Sequence, residues 1–199
     1  MSVTADEALR RLTEGNERFL RGEARFSTVQ KDVLAKLATA QRPFATVFGC
    51  SDSRVPPELL FDAGFGELFV IRVAGHVLST GVLGTLQYAA LHLRTPLFVV
   101  LGHERCGAIK AALATQLHGH RDRERIQALV DEIVKGLPDP DRGVSHEAQL
   151  DRAVEANVRS TVRLILETPE ARARVAEGRV RLVGAVVEIA TGRVRFLSL

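Results

Sequence analysis

PLFVVLG, residues 96–102, is an unbroken run of branched and aromatic residues bounded by a proline and a glycine. Five such residues in a row read as a buried strand. Reading outward, PFATVFG (43–49) and ELFVIRV (67–73) repeat the pattern upstream, and RLVGAVVEI (181–189) repeats it downstream. Thr191-Gly192 then turns the chain into RVRFLSL (193–199). Between the strands lies helical text, at 81–94, 105–117, 122–136 and 146–167, broken in its middle by Pro138, Pro140 and Gly143. Strands alternating with helices predict an α/β fold with a mostly parallel central sheet and flanking helices. The closing hairpin predicts an antiparallel C-terminal edge strand.

Ahead of the first strand, TADEALRRLTEGNERFLRG (4–22) carries an apolar face of Ala5, Ala8, Leu9, Leu12, Phe19 and Leu20. Thr4 with Glu7 three residues on is a capping-box pattern. A second helix is expected at 30–41. These two form an N-terminal helical arm (1–41) before an α/β core (42–199), with residues 1–199 read as one domain. An apolar stripe on an arm must be buried on something, a partner subunit being one choice.

The chain has 199 residues, 46% hydrophobic and 26% charged, with a formal net charge of +3. Its arginines alternate with acids and form no basic block, so nucleic acid is not an expected partner. No apolar stretch reaches the roughly 18 residues of a membrane helix. The N-terminus has no apolar signal core, which points to a cytoplasmic protein. Its two cysteines, Cys50 and Cys106, then live in a reducing compartment, where metal binding or catalysis outweighs a disulfide.

Two strands run into unusual text. TVFG leads into Cys50 and FVVLG into His103, with Cys106 three residues later. In open parallel sheets ligands bind outside the carboxyl ends of strands, where neighbouring connections part. If these strands are neighbours, Cys50, His103 and Cys106 converge there. Thiolate and imidazole suit zinc, and three ligands with one open position describe a catalytic site. Asp52 or water is the candidate for the fourth position. Such an ion must bring water from a pKa of 15.7 toward about 7. Asp52 is placed to accept a hydrogen bond from that water, and Arg54 to restrain Asp52 through a bidentate pair. Competing readings of the same residues are a buried thiol pair with a core histidine, or a reactive cysteine with His103 as base.

CSDSRVPPE (50–58), ELFVIRVAGH (67–76), GTLQYA (84–89) and VVLGHERCGAIKAAL (99–113) together resemble the β-class carbonic anhydrases, with a weaker echo in LVGAVVEIATGRVRFL (182–197). The resemblance implies reversible hydration of CO2 to bicarbonate and a proton at a Zn2+ site. It implies Cys50, His103 and Cys106 as zinc ligands and Asp52 with Arg54 as the catalytic dyad, Asp52 taking the fourth zinc position in a closed, inactive state. It further implies the Gly107 amide as a donor to bicarbonate. Gln41, Phe69 and Tyr88 would be pocket residues reaching a neighbouring subunit's site, in a homodimer or higher homo-oligomer. Val47 stands where one subgroup has the tryptophan of a regulatory bicarbonate site, so the resemblance is to the plant-type, non-allosteric form. His76 stands where the family often has Asn, and is read as a structural histidine, with a proton shuttle as the alternative. His118 and His120 are read as part of a surface loop. The rival functions are hydrolysis of CS2 or COS at the same site, and a non-catalytic zinc-binding assembly module, which would have no use for Asp52 and Arg54.

Overall fold

The computed structural model describes residues 3–25, 31–141 and 143–198. Five strands form one sheet: β1 (Ala45–Gly49), β2 (Leu68–Arg72), β3 (Leu97–His103), β4 (Arg181–Val187) and β5 (Val194–Phe196). Their spatial order is β2-β1-β3-β4-β5. The first four run parallel, and β5 returns antiparallel to β4. The mixed α/β architecture and its antiparallel edge strand are those expected from the sequence, with strand ends within about three residues.

Both faces of the sheet are covered, which is why its inner strands read as continuous apolar runs rather than alternating ones. β1 and β3 are buried at every position. Alternate side chains divide between two cores. Phe48, Phe98, Val100 and Val186 pack on one side with residues of α4 (Thr80–Tyr88), α5 (Gly107–His118), α6 (Glu124–Val134) and α7 (His146–Glu167). Val47, Val99, Leu101 and Val187 pack on the other with α1 (Ala5–Leu20) and α3 (Pro57–Leu60). The remaining α-helices among the described residues are α2 (Lys31–Leu37) and α8 (Pro169–Ala176), the latter not anticipated from the sequence.

The Thr4 side chain accepts from Glu7 N at 3.2 Å, so the predicted N-cap forms. The Glu7 carboxylate is taken by Arg10 and Arg11 instead of reaching back to Thr4. The apolar stripe of α1 is buried on its own chain, not left as a free arm: Ala8 and Leu12 are fully buried. Asn16 ties the helix down, donating to the carbonyls of Leu60 and Gly192 at 3.0 and 2.9 Å and accepting from Val194 N at 2.9 Å. In α2, by contrast, Val33 and Leu34 are exposed.

Gly102 sets how close α7 comes to β3. A Cβ there would lie 2.5 Å from Cγ2 of Val158. Only a glycine lets the helix seat against the strand one residue before His103.

Candidate metal centre

From β1 the chain crosses to β2 on one side, then to β3 on the other. The crevice at the carboxyl ends of β1 and β3 is therefore the topological switch point of the sheet. Cys50 directly follows β1, His103 ends β3, and Cys106 is the N-cap of α5. Their ligand atoms all lie within 4.8 Å of one another, and all three residues are buried. This is the convergence that the two neighbouring strands predict.

His103 is oriented for ligation. Its Nδ1 lies 2.8 Å from the Glu104 carbonyl oxygen, which can only accept, so the ring proton sits on Nδ1. Nε2 then carries a free lone pair and, fully buried, has no hydrogen-bond partner among the described residues. Such an orphaned buried acceptor is costly unless something binds it, and a second-nitrogen bond to a carbonyl is the usual support of a metal-bound histidine. The H-x-x-C loop is fixed in turn by Glu104, whose N–H donates to Val187 O at 2.9 Å and whose carboxylate accepts from Ile189 N at 3.1 Å.

The two free sulfurs share a proton. A hydrogen bond from Cys106, together with one from the Gly75 amide, pulls the Cys50 thiol well below its ordinary value against its burial. The same pairing with Cys50, and then burial, push Cys106 up. Two thiolates and an imidazole around one point are a donor set for a borderline-soft divalent ion, and these residues fit one: a cation would compensate both sulfurs and occupy the orphaned Nε2.

Asp52 stands at the edge of this group, with Oδ2 3.9 Å from His103 Nε2. Arg54 donates from Nε to Oδ1 at 2.9 Å, from Nη2 to Oδ2 at 2.8 Å and from its backbone N–H to Oδ1 at 3.0 Å. The Arg54 guanidinium holds the Asp52 carboxyl well below the usual carboxylate range. Gly107 opens α5, is exposed, and has nothing within 4 Å of where a Cβ would be. Its amide is among the first N–H groups of the helix, which have no intrahelical acceptor.

Gln41 is exposed in the loop before β1. Phe69 on β2 and Tyr88 at the end of α4 face each other with ring centroids 6.1 Å apart, and Tyr88 is 46% exposed. His76 is not at a mouth but 1% exposed, its ring edge-on to Phe48 and its Nε2 2.8 Å from Asn157 Nδ2. Burial pushes it down to about 4, so it is neutral near physiological pH, the structural reading rather than the shuttle. His118 and His120 flank the exposed C-cap of α5, as a surface loop requires.

Sequence reasoning missed Arg72. From β2 its Nε donates to Cys50 O at 2.8 Å and its Nη2 to Asp52 O, clamping both ends of the loop that carries the thiol and the carboxylate. The signal was available: an arginine inside the apolar run ELFVIRV.

Comparison with known proteins agrees with this geometry. The family described as carbonic anhydrase matches residues 45–194. Carbonic anhydrase 2 of Mycobacterium tuberculosis is 39% identical over 94% of this chain and 89% of its own. The carbonic anhydrase of Mycolicibacterium smegmatis is 38% identical over 96% and 92%. Among solved structures, a Coccomyxa β-carbonic anhydrase in complex with acetazolamide superposes with a TM-score of 0.73 at 29% identity, covering 95% of this chain and 86% of that one. A match of this extent, on a sheet whose switch point gathers these residues, has one reading: the chain belongs to the β-class carbonic anhydrases, enzymes that hydrate carbon dioxide.

Proposed function

We propose that the hydration of CO2 by this chain depends on zinc held by Cys50, His103 and Cys106. The supporting observation is the convergence of two sulfurs and a partnerless imidazole nitrogen within 4.8 Å, beside a carboxylate that is already engaged by an arginine. When bound, zinc supplies the Lewis acidity that ionises water near neutral pH. The protein's own groups do the rest. Asp52, kept ionised and turned aside by Arg54, accepts a hydrogen bond from the attacking water at Oδ2 and aims its lone pair at the carbon. Carbon and oxygen join, one C=O bond becomes C–O, and the Gly107 N–H donates to the oxygen that gains the charge. The products are bicarbonate and one proton, which passes to buffer.

Gln41, Phe69 and Tyr88 complete a neighbouring subunit's pocket in this reading. The exposure of Tyr88 and Leu91, 46% and 40%, supports a homo-oligomer that covers them. Val47 is fully buried in β1 and the chain has no tryptophan, which favours the plant-type form without regulatory bicarbonate. A cytoplasmic location suits two free thiols. Among the described residues no helix is long and apolar enough to cross a membrane.

The test combines zinc content per chain with stopped-flow CO2 hydration. About one zinc per chain and rapid hydration are expected, and Cys106→Ser loses both. Hydration that persists in metal-free protein would refute the reading. Activity on CS2 or COS exceeding that on CO2 would transfer the same site to the analogue reaction.

A further inference from the structure

We infer that Asn157 is a positioning residue for the Cys50 sulfur, acting through the Gly75–His76 turn. The inference rests on the metal role proposed for Cys50. Gly75 and His76 are consecutive residues in the left-handed region, with φ of +61° and +42°. For histidine that conformation is strained, and it persists only where surrounding structure enforces it. The turn has one visible product: it aims the Gly75 N–H at Cys50 Sγ, 3.3 Å away.

What enforces the turn comes from across the core. Asn157 lies in the middle of α7, 5% exposed, on a buried face between Ala153 and Val154 on one side and Ser160 and Thr161 on the other. Its two amide hydrogens are both spent on the turn, one on Gly75 O at 3.0 Å and one on His76 Nε2 at 2.8 Å. Because Nε2 accepts, the His76 ring proton is on Nδ1, which has no partner among the described residues. Asn157 is thus the only side chain seen to hydrogen-bond the His76 ring among the described residues. Burying an amide is expensive unless its hydrogens are bonded, and both of these go to the turn and none to α7 itself. The seating of α7 against Gly102 is what brings it within reach.

An N–H donor draws electron density from a thiolate. Losing it makes the sulfur a better electron donor but leaves the ligand less fixed, and outer-shell partners of metal ligands are worth about 10–100-fold in affinity. A role confined to packing would lower stability without touching the sulfur's electronics.

The experiment uses cobalt-substituted protein and Asn157→Leu. In the variant the sulfur-to-cobalt charge-transfer band is expected to move to longer wavelength. Release of the metal to a chelator is expected to be about 10–100-fold faster, with the far-ultraviolet circular dichroism unchanged. An unmoved band and unchanged release in folded, loaded Asn157→Leu would overturn the inference. Should that variant not fold, Asn157→Ser, whose side chain is too short to span both acceptors, is read by the same two measurements. If the wild-type chain takes up neither cobalt nor zinc, the metal reading fails as well; if it loads and the variants match it, only this inference fails.

Discussion

Arg54 engages both carboxylate oxygens of Asp52, at 2.9 and 2.8 Å, and adds its own backbone N–H at 3.0 Å. Three donors from one residue leave the carboxylate little freedom to rotate toward the sulfurs. They hold it with Oδ2 3.9 Å from His103 Nε2, beside the donor cluster instead of within it. In the proposed function this geometry suits a group that addresses a metal's water and leaves the fourth position open.

Asp52→Asn tests that assignment. The amide keeps the shape of the side chain but accepts at one atom only and is not charged. CO2 hydration is expected to fall by about 10²- to 10⁴-fold, while zinc content stays near wild type and the thermal midpoint drops only by what the ion pair with Arg54 contributes. Unchanged hydration in stopped-flow assays would remove Asp52 from the mechanism.

Arg54→Ala should reveal the same pair through stability. Asp52's folded pKa is depressed below its unfolded value, chiefly by Arg54. The contribution is therefore fully present above the ordinary aspartate value of about 3.9 and lost as pH falls through the depressed one. In urea titrations the wild type's advantage over Arg54→Ala should hold near neutral pH and shrink at the acid end. An advantage that grows with acid would contradict the ion pair.

Arg72→Met removes the clamp on the loop while retaining an unbranched apolar stem. Two charge-assisted bonds are lost, each worth about 1.5–3 kcal/mol when buried; because Arg72 is only half-buried, a net loss of about 2 kcal/mol is expected. Zinc retention should weaken with it, since Cys50 O and Asp52 O are the atoms released. Urea midpoints and zinc stoichiometry after dialysis check both parts.

The fold was largely legible because its signals are local. A strand buried on both faces, such as Val99 and Val100 with opposite neighbours, must be apolar throughout, so β1 and β3 declare themselves. The convergence of Cys50, His103 and Cys106 was legible because each sits at a strand end or helix cap next to its motif. What escaped is non-local. Nothing near position 72 says that its guanidinium reaches back 22 residues to Cys50, and nothing near 157 says that its amide crosses 82 residues to Gly75. The fate of the α1 stripe escaped for a related reason: amphipathicity states that a face is buried, not against what. The packing of Ala8 and Leu12 in the second core, with the Asn16 bonds to Leu60, Gly192 and Val194, shows that it is the same chain.

His76 makes the stability of the molecule depend on acid in a way that its neighbours do not. Burial lowers its folded pKa to about 4 from about 6.5 in the unfolded chain. Between these values the unfolded state binds the extra proton, so stability falls as pH falls from about 6.5 to about 4, by on the order of 3 kcal/mol. Above about 6.5 His76 contributes no pH dependence. His76→Asn tolerates the left-handed backbone and removes the titrating group. Its unfolding free energy should therefore fall less steeply over that window. Parallel curves for the two proteins would place the acid sensitivity elsewhere.

Gly102→Ala probes the contact that seats α7. The added methyl would meet Val158 Cγ2 at 2.5 Å, too close for any rotamer change at residue 102 to relieve, since alanine has none. Either Val158 turns or the helix retreats from β3. Overpacking of this kind costs about 1–3 kcal/mol, and the retreat also moves Asn157, one residue before Val158. The variant should therefore lose thermal stability and, in cobalt-substituted form, shift the charge-transfer band in the same direction as Asn157→Leu. Val158→Ala in the Gly102→Ala background makes room for the methyl, so recovery of the band in the double variant would tie the metal's surroundings to the seating of α7. A band that stays displaced would assign the shift to His103, the next residue along β3.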